Sequence, residues 1–125
     1  MSTTPDPPSV ESLVPSWLSV PEVAERLGIR LSSAHTLLED RELVAVRVGE
    51  RNALAVPEAF LGDDGPLPAL RGTFTVLADG GMDDEETVRW LFTPDPTLPV
   101  EGAPIDAIRA GFKTEVRRRA MEEAF

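Results

Sequence analysis

Apolar and polar positions recur with two different periods along this chain, and the switches between them mark its elements. Val20, Val23, Ala24 and Leu27 follow helical spacing and form the inner stripe of a short helix. Ser19 and Glu22 stand at its start as a capping box, each side chain placed to meet a backbone amide left free in the first turn. Pro21 is tolerated in that turn, and Gly28 stops the helix. Ala34, Leu37 and Leu38 predict a second helix over Leu31–Asp40, with Ser32, Ser33, His35 and Thr36 on its outward side. The period then changes. Leu43–Val48 and Ala53–Val56 are β-type runs joined through Gly49-Glu50-Arg51-Asn52, a hairpin tip. Pro57 opens a short helix ending near Leu61, and Gly62-Asp63-Asp64-Gly65-Pro66 is expected to be a linker.

Beyond that linker the pattern is helical. Leu70, Phe74, Leu77 and Ala78 mark one helix, ended by Asp79-Gly80-Gly81. Asp83, Asp84, Glu85 and Glu86 open the next, as acids favoured by the helix dipole, and its apolar face holds Val88, Leu91 and Phe92. Thr93-Pro94-Asp95-Pro96 stops it, and a Pro-bearing loop leads to Ile105 and Ile108. Phe112, Val116, Ala120 and Ala124 then recur at spacing four. Residues 1–16 hold Pro5, Pro7, Pro8 and Pro15 among Ser, Thr and acids, too little apolar surface to offset chain entropy, so a disordered tail is expected there. The fold predicted is mainly α: a winged helix-turn-helix over residues 17–65 with a small two- or three-stranded β-hairpin wing, and a helical C-terminal region, 66–125. Each half is too small for a large core of its own, so the two are expected to share one.

Composition limits the function classes. At 42% apolar and 27% charged, the chain is an ordinary soluble globular sequence. The absence of cysteine excludes disulfides and thiolate metal sites and fits a cytoplasmic setting. No apolar run approaches the ~20 residues of a membrane span. Met1–Ser9 has neither a basic start nor an apolar core, so no signal peptide is expected. A net charge of −10 argues against a nucleic-acid partner, but it is unevenly spread: −2 over residues 17–61, −8 over 62–108 and +2 over 109–125. The helix-turn-helix is therefore not basic overall, and its binding to DNA is expected to be modest and steeply salt-sensitive.

The candidate chemistry lies on the second helix and the hairpin. Arg47 and Arg51 sit on the wing, where a guanidinium reaches phosphates or a minor groove. Arg30 stands at the entry of the second helix, balanced between phosphate contact and plain solvent exposure. Ser32, Ser33, His35 and Thr36 are placed to touch base edges or phosphates. His35 is the single histidine, with no second ligand or nucleophile beside it, so it has neither a metal nor a catalytic role. Arg109, Lys113, Arg117, Arg118 and Arg119 form a cationic end, either a second phosphate-contact surface or cations favoured by a helix terminus. Trp90 and Phe92 are read as core. No paired carboxylates, triad or phosphate-cradling glycine loop is found, so neither an enzyme nor a cofactor or metal is expected.

Several longer tokens carry a family likeness: Leu43-Val-Ala-Val-Arg47, Asp79-Gly-Gly81, Arg89-Trp-Leu-Phe-Thr-Pro-Asp-Pro96, Pro104-Ile-Asp-Ala107 and Glu115-Val-Arg-Arg-Arg-Ala120. The N-terminal half resembles excisionase and MerR-type winged helix-turn-helix domains. Over residues 17–125 the chain resembles a small actinobacterial DNA-binding protein family, known from mycobacteria as a target of a serine/threonine protein kinase. That resemblance implies double-stranded DNA as partner and transcriptional regulation as the use. It also implies a kinase acting on an N-terminal threonine, for which Thr3 and Thr4 are the nearest candidates. Thr36 stands where MerR-type domains commonly carry Arg or Lys. Leu91–Leu98 with Pro104–Ile108 is similar to the C-terminal domain of antitoxins, which follows a DNA-binding head. It implies an alternative function, a protein-interaction module acting through residues 66–125, whether toward a protein partner or as a homodimer.

Overall fold

Ser19 leaves the extended backbone and caps the first long helix, as the spacing predicts. The computed structural model describes residues 9–124. In chain order these form α1 (Val10–Leu13), β1 (Trp17–Ser19), α2 (Val20–Leu27), α3 (Leu31–Glu39), β2 (Val46–Val48) and β3 (Ala53–Pro57). A 3₁₀ turn at Glu58–Phe60 leads to β4 (Leu61–Gly62) and β5 (Gly65–Pro66), then α4 (Leu70–Asp79), α5 (Asp84–Phe92), α6 (Pro104–Arg109) and α7 (Lys113–Ala124). The Glu22 amide donates to the Ser19 hydroxyl at 3.2 Å, while the Ser19 amide donates to the Glu22 carboxylate at 2.9 Å. Gly28 ends α2 at φ 67°, a left-handed conformation natural to glycine.

The sheet has order β1-β3-β2, all antiparallel. Val46 pairs with Ala55, Arg47 with Leu54 and Val48 with Ala53, so the hairpin tip falls on residues 49–52. Asn52 takes φ 54° there, a conformation its short polar side chain tolerates. The molecule is thus mainly helical with a small antiparallel wing.

The structure departs from the sequence reading at several places. Residues 9–16, expected in a disordered tail, include helix α1, whose Val10 is buried and is followed one turn later by buried Val14. Pro15 follows the helical turn rather than interrupting it. The β-run expected over Leu43–Val48 narrows to Val46–Val48, because Leu43 and Val44 are drawn into the core as irregular chain. The expected linker folds as β4 and β5, with Leu61 opposite Pro66 and Gly62 opposite Gly65. Phe112, assigned to the last apolar stripe, precedes α7 and is 38% exposed. Ala78 also faces solvent.

Phe60 explains why the halves form one body. It closes the 3₁₀ turn after β3, is wholly buried, and lies edge-on to Phe74 of α4 at 5.4 Å, with Phe92 of α5 at 5.7 Å. A single buried cluster therefore runs from Val10 to Val116. Arg109 adds a polar clasp, donating to the carbonyls of Ala59 at 2.8 Å and Leu61 at 3.1 Å. Arg41 pairs with Asp84 at 2.8 Å, tying the loop after α3 to α5.

Candidate nucleic-acid interface

α3 packs on α2 through its inner face. Ala34 is buried and Leu37 and Leu38 are half-buried, so the opposite face is left to solvent. Ser32, Ser33, His35 and Thr36 are all exposed, as is Arg30 at the N-cap position. The Thr36 hydroxyl donates to the Ser32 carbonyl at 3.0 Å, which leaves it an acceptor rather than a donor in that rotamer. Ser32, Ser33 and His35 then carry the donor capacity of the face.

Arg47 lies on β2 and donates to the Asn52 carbonyl at 3.1 Å, which holds its guanidinium along the hairpin tip. Arg51 projects from that tip and is exposed. The tip is braced from behind. Its Gly49 amide donates to the Glu11 carboxylate at 2.9 Å, and the Trp17 indole donates to the Glu11 carbonyl at 3.2 Å. Sequence reasoning missed this brace because it assigned Glu11 to a tail. The only local signal was the pair Val10 and Val14 at helical spacing.

Pairing decides which cations remain available. Arg26 is held by Glu58 at 2.8 Å and Arg41 by Asp84, whereas Arg30, Arg47 and Arg51 enter no ion pair among the described residues. The Ser16 hydroxyl, donating at 2.6 Å, and then Arg26 hold the Glu58 carboxyl below the usual carboxylate range. Glu50 precedes Arg51 and the Glu11 carboxylate sits on the Gly49 amide of the same tip, so the wing offers an oriented Arg47 guanidinium rather than a strong positive field.

Two apolar residues at the entry of α3 were also missed. Ile29 is 36% exposed and Leu31 48%, one on each side of Arg30. An apolar side chain at the start of a groove-entering helix suits a thymine methyl.

The cationic end divides into two kinds of residue. Arg109 clasps backbone carbonyls, and Arg119 donates to the Thr97 hydroxyl and, at 3.0 Å, to the Thr97 carbonyl. Arg118 pairs with Glu115 at 3.2 Å. Lys113 and Arg117 enter no ion pair among the described residues. Phe92 is core as expected, and Trp90 is half-buried. Thr3 and Thr4 lie outside the described residues.

Two family models match successive parts of the chain. Residues 7–61 match the family described as DNA-binding protein Rv2175c, wHTH domain, and residues 67–124 match the Rv2175c C-terminal domain of unknown function. DNA-binding protein Rv2175c of Mycobacterium tuberculosis is 38% identical over 117 residues, which span 85% of this chain and 79% of that protein. The NMR structure of Rv2175c superposes with a TM-score of 0.79 at 33% identity, covering 99% of this chain and 87% of that one. The chain belongs to the Rv2175c family and carries both its winged helix-turn-helix and its C-terminal domain.

Proposed function

We propose that this protein binds double-stranded DNA, with α3 entering the major groove and the β2–β3 wing lying on the neighbouring backbone. The observation that carries the reading is the exposed face of α3 together with a braced hairpin whose arginines enter no ion pair among the described residues. Ser32, Ser33, His35 and Thr36 face base edges, and Arg30, Arg47 and Arg51 contact phosphates. Membership of a family named for DNA binding supports the same reading. The docking follows the excisionase and MerR pattern, and its use is transcriptional regulation in the cytoplasm. No helix among the described residues is long and apolar enough to cross a membrane.

The test is a titration of duplex DNA against Arg47→Ala with Arg51→Ala at several salt concentrations. Each lost phosphate contact flattens the logarithmic salt dependence by about one unit. Unchanged affinity and slope would remove the wing from the mechanism. Control by a serine/threonine kinase acting on Thr3 or Thr4 enters the same titration. A phosphate adds roughly −1.5 to −2 charges to a chain whose residues 17–61 already carry −2. Thr3→Glu with Thr4→Glu should therefore weaken binding at low salt, and equal affinity would dismiss this control.

A further inference from the structure

α4 and α7 pack along each other, and at one end of their seam a cleft of about 420 Å³ opens. Its cationic side is made by Lys113, Arg117 and Arg118, its apolar side by Pro68, Ala69 and Met121. Met121 is 52% exposed, an apolar side chain left to water on the wall of the cleft.

Gly72 gives the second observation. It sits inside α4 with no left-handed φ, so its backbone conformation does not call for glycine, and glycine weakens a helix interior. A Cβ at that position would collide with the Arg117 guanidinium. The missing side chain therefore seats a cation against α4, although no acid among the described residues pairs with it. This occurs in a chain of net charge −10.

We propose that this cleft binds an acidic segment of a partner protein. A carboxylate is received by Arg117 with Lys113 beside it, and an adjoining apolar side chain covers Met121, Pro68 and Ala69. Charge complementarity requires an anion, and the apolar wall selects its kind. A phosphodiester backbone carries nothing to cover Met121, whereas a peptide pairing Asp or Glu with an apolar residue satisfies both walls. A second copy of the chain brings another net −10 and is repelled at range. The proposal stands apart from the DNA reading, since it uses none of the residues of α3 or the wing.

The experiment selects peptides from a random phage-displayed library on the full chain, then measures their affinity for wild type, Arg117→Glu and Gly72→Ala. The selected peptides should pair acidic with apolar residues and lose affinity as salt rises. Arg117→Glu should weaken them about tenfold or more, as expected for an Arg anchor that the bound peptide covers. Gly72→Ala keeps every charge and a helix-favouring residue but displaces the guanidinium, whose flexible end can move aside. It should also weaken binding, and it decides the matter if the charge reversal unfolds α7. Failure to enrich any peptide, peptides without acids, or affinities untouched by both variants would overturn the proposal. A loss of duplex DNA affinity in Arg117→Glu without an effect on peptides would overturn it in favour of a phosphate contact. Self-association abolished by Arg117→Glu would overturn it in favour of a second copy.

Discussion

Thr87 is wholly buried in α5, and its hydroxyl finds no hydrogen-bond partner among the described residues. An unmet buried hydroxyl costs about 1–3 kcal/mol, so Thr87→Val should raise stability by about 1 kcal/mol in urea unfolding. A fall in the midpoint would contradict the orphaned hydroxyl. Glu22, Glu58 and Asp95 present the opposite case, each well supplied with donors. The Ser19 amide and hydroxyl, the Ser16 hydroxyl with Arg26, and the Thr97 hydroxyl and amide, respectively, hold these carboxyls below their usual values. Because the folded-state value is the lower one, the stabilisation is complete above the unfolded pKa and disappears as pH falls through the folded one. The melting temperature should therefore drop as pH falls below the usual carboxylate range, and Glu58→Gln should make that drop shallower. An equally steep drop in the variant would remove Glu58 from the account. All three groups are solvent-accessible, so each effect is small.

At the scale of elements, what was legible in the sequence was local. The capping box at Ser19 and Glu22, the stop at Gly28 and the hairpin tip at Gly49–Asn52 each depend on neighbours within one turn, and each forms as read. β1 was not legible because Trp17, Leu18 and Ser19 become a strand only through Pro57, Val56 and Ala55, far along the chain. α1 was hidden by the proline-rich sequence around it; it gains its place from packing against α5, with Val10 and Val14 in the common buried cluster. Phe112 misled by spacing alone, since the helix it seemed to continue begins one residue later. The outward residues of α3 were legible because its inner stripe was, whereas Glu11 behind the wing tip was not. Glu11→Ala should leave the fold intact but speed hydrogen exchange at the Gly49 amide, whose acceptor it removes. Unchanged protection would show that the wing needs no brace.

At the scale of the molecule, Phe60 joins the winged helix-turn-helix to the C-terminal helices, so the α3 face is presented by the whole core rather than by a free module. In the proposed DNA complex rigid presentation matters because few cations are available: Arg30, Arg47 and Arg51 would act against a net charge of −10. Affinity then depends on placing those groups well rather than on bulk attraction, and its logarithmic salt dependence should be about three units, one for each phosphate contact. The same shared core makes the C-terminal cleft part of the body that holds α3, although the two surfaces use different residues. The central claim is that α3 and the wing together meet DNA. It is tested most directly by titrating the isotope-labelled full chain with a duplex selected from random DNA and following backbone amide shifts by NMR. The account predicts saturable changes concentrated at residues 30–36 and 47–51. Changes confined to residues 113–121, or no changes at saturating duplex, would contradict it.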